Sequence, residues 1–272
     1  MVDGLIQGAL SQALVDIRKT AAPRPAVCGD QVAREAPVAL VYNGVSHAVM
    51  MATPLELAAL ALGFSLTEGI LDSAAELYGC EVVMTDQGFS VEMGIASGRM
   101  AALRARRRSL AGRTGCGLCG AESLAQAVRP VATVAAPDIS DDAVQRAVQQ
   151  LPAFQPLQAA TGATHAAAWC APDGTLLRAC EDVGRHNALD KLVGTVATTG
   201  QLGGEGFLLV SSRVSYELVH KSCAVGIGAL VAVSAPTSLA IELAQQAVQL
   251  LIVFARAGRH VRYHQPVAPA PS

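Results

Sequence analysis

Gly115-Cys116-Gly117-Leu118-Cys119-Gly120 sets two cysteines three residues apart, with almost no side chain around them. Two sulfurs at that spacing share one small site, and the glycines leave room for another molecule's backbone or thiol to approach. From Met93 to Ala121 there is no acidic residue, whereas Arg99, Arg104, Arg106, Arg107, Arg108 and Arg113 are all present. A thiol attacks only as its thiolate, and nearby positive charge lowers a cysteine pKa from its reference of about 8.5. A paired thiol in an electropositive, open setting points to sulfur or redox chemistry.

Two further clusters could bind a ligand. Asp182-Val183-Gly184-Arg185-His186-Asn187 falls where a strand gives way to a helix, the usual place for ligand contacts in α/β sheets. The plainer reading is a helix capped by Asp182 with Arg185 on the surface. Ser211-Ser212-Arg213 and Ser234-Ala235-Pro236-Thr237-Ser238 sit at equivalent strand ends, which favours a shared cleft. Phe254-Ala255-Arg256-Ala257-Gly258-Arg259 closes the last apolar strand, and arginines bracketing a glycine suit a phosphate or a purine edge.

The rival chemistries are a zinc site and a thioredoxin-like dithiol. One CxxC supplies two of the four ligands a structural zinc needs, and no second close pair follows. No resident metal is expected. A CxxC before a helix suits a dithiol, but here an arginine-rich loop replaces the preceding strand.

The elements that must position these residues are legible in part. Val38–Tyr42 and Val45–Met50 flank Asn43-Gly44 and predict a hairpin. Thr53-Pro54-Leu55-Glu56 is expected to open a helix with a capping box, burying Leu57, Leu60, Ala61 and Phe64 on one face. Glu81–Thr85 and Phe89–Met93 form a second hairpin. The arginine-rich loop and the CxxC come next, with a short helix from about Glu122. Pro130–Pro137 is a connection, and Ser140 or Asp141 caps a helix to about Leu151. Strands then flank Pro172-Asp173-Gly174. Beyond them lie a helix from about His186, a strand at Phe207–Val210, a helix at Val214–Val225, a strand at Ala229–Val233, a helix at Ser238–Val248 and a strand at Leu250–Phe254. That alternation implies an α/β fold, a mixed sheet with helices on its faces. The expected organisation is a lead-in over 1–35, a β-rich N-terminal subdomain over 36–129 ending in the CxxC loop, an α/β core over 130–264, and a disordered Pro/Ala tail over 265–272.

Composition narrows the function. The chain has 272 residues, 51% hydrophobic and 15% charged, which provides for a substantial core. A net charge of −2 with 4% aromatics argues against nucleic-acid partners. Seven cysteines, an odd number outside one close pair, do not make a secreted disulfide framework. Asp3, with no basic stretch before an apolar run, leads us to expect no secretory signal. Ser222–Ile241 carries no charge over twenty residues, but Gly226, Gly228, Ser234, Pro236, Thr237 and Ser238 interrupt it. It reads as a helix end, a buried strand and the next helix start, so a cytoplasmic protein without membrane contact is expected.

The blocks GCGLCG, EDVGRHNALDKLVG, SSRVSYELVHKSCAVG, AVSAPTSLAIELA and FARAGR, in this order between about Pro37 and Tyr263, resemble the formate dehydrogenase accessory sulfurtransferase family, FdhD. The resemblance implies a sulfur carrier. A cysteine desulfurase would hand it a persulfide sulfur, which it would pass to the molybdenum bis-guanine-dinucleotide cofactor of formate dehydrogenase. Cys116 then matches the persulfide cysteine and Cys119 its assisting partner. Phe254, Ala255, Arg256, Ala257, Gly258 and Arg259 match the cofactor-binding stretch, and a homodimer is implied. The family fold is similar to cytidine deaminases. Zinc deaminases need His-x-Glu and Pro-Cys-x-x-Cys, however. Here His165-Ala166-Ala167 lacks the glutamate and Gly115 precedes Cys116, so deaminase chemistry is not expected. Arg113-Thr114-Gly115 also makes the flank of Cys116 more basic than the family pattern. A cofactor-binding chaperone that moves no sulfur, and a dithiol oxidoreductase, are the alternatives.

Overall fold

The computed structural model describes residues 7–17, 26–111, 130–200, 202 and 204–266. Cys116, Cys119, Arg113 and the helix expected from about Glu122 lie outside the described residues.

The N-terminal unit is a four-stranded sheet. β3 (Ala36–Tyr42) and β4 (Val45–Ala52) form the hairpin expected around Asn43-Gly44, and β5 (Leu77–Thr85) pairs with β6 (Gly88–Ile95). β3 and β6 run parallel, giving the order β4-β3-β6-β5. The Asn43 side chain helps join them, donating to Ile95 O and accepting from Ile95 N, each at 2.9 Å. Ahead of this sheet, β1 (Leu10–Ile17) and β2 (Ala26–Ala33) form an antiparallel ladder, so the lead-in carries regular structure of its own.

Helix α1 (Leu57–Thr67) starts later than the capping pattern predicts, and no capping box forms. Glu56 occupies the N-cap position in a left-handed conformation (φ 52°) without a side-chain cap, and its carboxylate pairs with Arg178 at 2.5 Å. Thr53 is drawn elsewhere. Its N–H donates to Asp182 Oδ2 (3.0 Å), and its Oγ1 accepts from Val183 N (3.1 Å). A fully buried carboxylate far along the chain outcompetes the local cap for Thr53. Nor is α1 buried on one face only, since Leu62, Ser65, Leu66 and Thr67 are covered as well. It lies between the small sheet and α5 (Arg185–Ala197), and two glycines bring those helices into backbone contact. A Cβ on Gly63 would lie 1.7 Å from Asp190 O, and one on Gly194 would lie 1.9 Å from Ala59 O.

The arginine-rich stretch is a helix, α2 (Ser97–Ala111), not a loop. Residues 99–111 contain no Gly or Pro and are dominated by Arg, Ala and Leu, all strong helix formers. Met100 and Leu103 fill its buried side.

The large sheet has the order β12-β11-β10-β9-β7-β8. Its strands are β7 (His165–Cys170), β8 (Leu176–Asp182), β9 (Phe207–Val210), β10 (Ala229–Ala232), β11 (Leu250–Arg256) and β12 (Arg259–His264). β9, β10 and β11 run parallel, while β7 is antiparallel to both β8 and β9. Alternate residues feed two cores. One face packs under α5, α6 (Tyr216–Ala224), α7 (Ser238–Gln246) and α1, in a cluster that runs from Val38 through Leu189 to Val253. The other packs under α3 (Asp141–Gln150), capped by Ser140 Oγ accepting from Ala143 N. A short α4 (Pro156–Thr161) precedes β7. Ser222–Ile241 divides as expected into the end of α6, β10 and the start of α7. The last strand differs from expectation. β11 continues to Arg256, turns at Ala257-Gly258 and returns as β12, whose Arg-His-Val-Arg-Tyr-His sequence is edge-strand composition, with only Val261 and Tyr263 apolar among basic residues.

Candidate functional site

Because β8 is antiparallel to β7, and β7 to β9, the carboxyl ends of β8, β9, β10 and β11 meet on one edge. That edge gathers 182–187, 211–213, 234–238 and 254–259, with His165 at the start of β7. The strand ends expected to share a cleft do share one edge of the sheet.

Much of its polarity is engaged in holding the fold. Asp182 does not cap a helix: Gly184 is the N-cap residue of α5, and the Asp182 carboxylate is fully buried. It lies 2.6 Å from Lys191 Nζ, itself fully buried, and accepts from Thr53 N, Gly184 N (2.8 Å) and Asn187 Nδ2 (3.0 Å). Lys191 also donates to Thr53 O at 2.9 Å, and Asn187 to Met51 O at 2.8 Å. The cluster thus clasps the large sheet to the loop that leaves β4. Ser211 Oγ accepts from Ala166 N (2.9 Å), and Thr237 Oγ1 caps α7 by accepting from Ala240 N (3.3 Å).

What remains for a ligand is basic. Arg185 is half-buried and Arg213 exposed. His186 Nε2 lies 2.8 Å from Glu217 Oε2. Burial holds the His186 pKa below the usual histidine value despite Glu217, and burial, reinforced by Arg185, does the same to His165.

The Phe254–Arg259 stretch is the most specifically shaped part of the edge. Phe254 has φ 52°, at an irregularity in the β11–β12 register, and its N–H donates to Ser234 O (3.1 Å). A bulky residue in the left-handed region carries backbone strain, which concentrates at functional sites. Arg256 and Arg259 are register partners across the Ala257-Gly258 turn, both exposed. Neither pairs with a carboxylate among the described residues. Like charges directly opposite in an antiparallel pair repel, so this turn is suited to an anion. The rings of Phe254 and Tyr263 lie 6.5 Å apart beside it.

Gly258 has φ 75°, and its N–H donates to Gln145 Oε1 at 2.7 Å. Gln145 Nε2 lies 3.1 Å from His260 Nδ1, and His260 Nε2 lies 2.9 Å from Asp141 Oδ1, which Arg262 also engages at 2.7 Å. The sequence offers no signal that Gln145, His260 and Arg262 belong to this site, because the contacts span more than a hundred residues.

The remaining thiols bear on the sulfur chemistry. Cys170, Cys180 and Cys223 are buried and free, and burial pushes each thiol up to about 12. Cys80 is exposed, and its thiol is also raised by desolvation. None of these four is an activated nucleophile. Arg99 is committed to Asp72 and Glu76 and so supplies no free positive charge. Arg104 is exposed on the same helix. Among the described residues no group of three His, Cys, Asp or Glu side chains could hold a metal. No helix there is long and apolar enough to cross a membrane.

Comparison with known proteins gives this architecture a class. The crystal structure of a candidate formate dehydrogenase accessory protein from Desulfotalea psychrophila superposes with a TM-score of 0.71, covering 95% of this chain and 98% of that one at 20% identity. That likeness shows the mixed α/β fold and does not by itself establish kinship with cytidine deaminases. The FdhD/NarQ family signature matches residues 33–268, and the chain belongs to that family. It is similar to proteins named sulfur carrier protein FdhD. The one from Cupriavidus necator is 55% identical, over 87% of this chain and 83% of the relative. Those from Chromobacterium violaceum (52%, over 86% and 88%) and Variovorax paradoxus (50%, over 87% and 86%) are comparable.

Proposed function

We propose that this protein is a sulfur carrier acting as a sulfurtransferase in the cytoplasm, loaded by a cysteine desulfurase and serving formate dehydrogenase. The Cys116 thiolate attacks the outer sulfur of a donor persulfide. The donor's S–S bond breaks, a new one forms on Cys116, and the donor cysteine leaves as a thiolate. No net oxidation occurs in this step. In delivery, attack by the Cys119 thiolate on the inner sulfur of the Cys116 persulfide forms a Cys116–Cys119 disulfide and releases hydrosulfide to the acceptor. The dithiol thereby supplies the two electrons that reduce the carried sulfur. Arginines 104, 106, 107, 108 and 113 favour the thiolate or attract an acidic donor or acceptor. Dimerisation rests on the family resemblance alone.

The acceptor is a molybdenum bis-guanine-dinucleotide cofactor, a substrate rather than a resident group, and Phe254–Arg259 takes its nucleotide end. The observation that carries this reading is the Arg256–Arg259 pair. These two arginines are register partners across the turn, without carboxylate partners among the described residues, and two guanidinium groups match the charge of a pyrophosphate and can each donate paired hydrogen bonds. Intact-mass measurement after incubation with cysteine and a desulfurase tests the sulfur step. A reducible gain of sulfur is expected. An unchanged mass would favour a cofactor-binding chaperone, and loss of two hydrogens with no sulfur-bearing species at any time point a dithiol oxidoreductase.

A further inference from the structure

We infer that Gln145, on the helix that covers the opposite face of the large sheet, is the positioning residue that holds the nucleotide-binding turn in its receptive shape. This rests on the reading of Phe254–Arg259 as the nucleotide site.

The polarity of the contact network is determined link by link. Gly258 N–H can only donate, so the Gln145 oxygen must face it, at 2.7 Å. The Gln145 amide nitrogen is then the atom that meets His260 Nδ1 at 3.1 Å, and Nδ1 must accept. His260 therefore carries its proton on Nε2 and donates it to Asp141 Oδ1 at 2.9 Å. Arg262 donates to the same oxygen through Nε (3.2 Å) and Nη2 (2.7 Å), and to Ile139 O through Nη2 (2.7 Å). The chain of donors and acceptors runs without a break from the start of α3 to the backbone of the turn, with one arrangement of the amide and one imidazole tautomer.

The turn requires such a brace. Arg256 and Arg259 repel across it, and next to them Phe254 interrupts the β11–β12 register. The register shifts between the Val253–Val261 pair and the Arg256–Arg259 pair that closes on the turn. With one backbone group of the turn tethered to a helix packed on the sheet, the two arginines are presented together before a ligand arrives, which reduces the ordering cost of binding. Without the tether, the same two side chains separate.

Calorimetric titration of the full-length protein with guanosine diphosphate tests the inference, using Gln145→Met, Gln145→Glu and Arg256→Ala. Met matches the volume and helix propensity of Gln but offers no acceptor. Glu retains the acceptor for Gly258 but adds a negative charge beside the turn. Gln145→Met is expected to weaken binding roughly tenfold, to speed amide exchange at Gly258 and to leave sulfur loading of Cys116 unchanged. Gln145→Glu is expected to restore slow exchange at Gly258, while its charge opposes the anionic nucleotide. Parental affinity in Gln145→Met, or exchange at Gly258 as fast in the Glu variant as in the Met variant, would overturn the positioning role. Loss of Gly258 protection with no effect of Arg256→Ala on affinity would instead show that the turn is braced as described but is not the nucleotide site.

Discussion

At the scale of single residues, the chain separates its cysteines by environment. Cys170, Cys180 and Cys223 sit in the cores, where the cost of burying a charge keeps them as thiols near neutral pH. In the sequence, Cys116 and Cys119 stand among glycines next to a run of arginines. Cys116→Ala should therefore abolish sulfur loading, and Cys119→Ala should load but deliver poorly. Persulfide labelling after incubation with the desulfurase checks this, and full labelling of Cys116→Ala would sink the assignment. Lys191 illustrates a residue whose charge serves the architecture. Its ammonium is buried against Asp182 at 2.6 Å, so Lys191→Met leaves a buried carboxylate without its counter-ion. The expected loss is about 3–5 kcal/mol in urea unfolding, partly recovered when Asp182→Asn removes the orphaned charge as well.

At the scale of elements, the contact between α1 and α5 fixes how the small sheet meets the large one. Gly63 and Gly194 let the two backbones touch, and the space a methyl group needs at either position is already filled by carbonyl groups. Gly194→Ala should improve the local helix propensity yet destabilise the protein by about 1–3 kcal/mol or more, because the helices must separate. A raised melting temperature would contradict this packing. The same displacement would shift Asp190, whose carboxylate binds Lys221 Nζ at 2.9 Å and Thr67 Oγ1 at 2.7 Å inside that interface. The interface thus mixes close backbone contact with a buried ion pair, and neither tolerates a change in spacing.

At the scale of the whole molecule, the carboxyl edge of the large sheet collects the polar residues. One cavity among the described residues lies away from that edge. It has a volume of about 500 Å³ and lies at the other ends of α1, α5 and α6, lined by Leu66, Leu71, Ala197, Leu202 and Val225 among others. Along the carboxyl edge, His165 and His186 are kept largely neutral by burial. Unfolding exposes both, and the unfolded chain takes up protons first as the pH falls. Their contribution to stability is present above the ordinary histidine pKa of about 6.5 and is lost as the pH drops through the lower folded values. The melting temperature should fall between about pH 7.5 and about pH 5.5, and His165→Gln should flatten that slope. An unaltered slope in the variant would mean that His165 is not among the groups responsible.

The amino-acid sequence by itself determined the elements whose signals are local. The Asn43-Gly44 hairpin, the Ser140 cap, the alternation of strands and helices beyond residue 163 and the CxxC pair could all be read from neighbouring residues, because turn geometry, capping and periodicity act over a few positions. The FARAGR block was legible as a motif, but not as a hairpin. The returning strand β12 lies at the sheet edge, and its two alternating apolar residues, Val261 and Tyr263, are too few among basic ones to mark a strand. Tertiary structure alone decided where Thr53, Asp182 and Gln145 act. Thr53 left its expected cap for a carboxylate 129 positions away, and Gln145 met Gly258 across 113. Such contacts depend on which backbone groups two packed layers bring within hydrogen-bond distance, and no local pattern of residue types encodes that distance. The arginine helix α2 is the converse case. Its composition favoured a helix throughout, and its charge pattern concealed a propensity that the backbone followed.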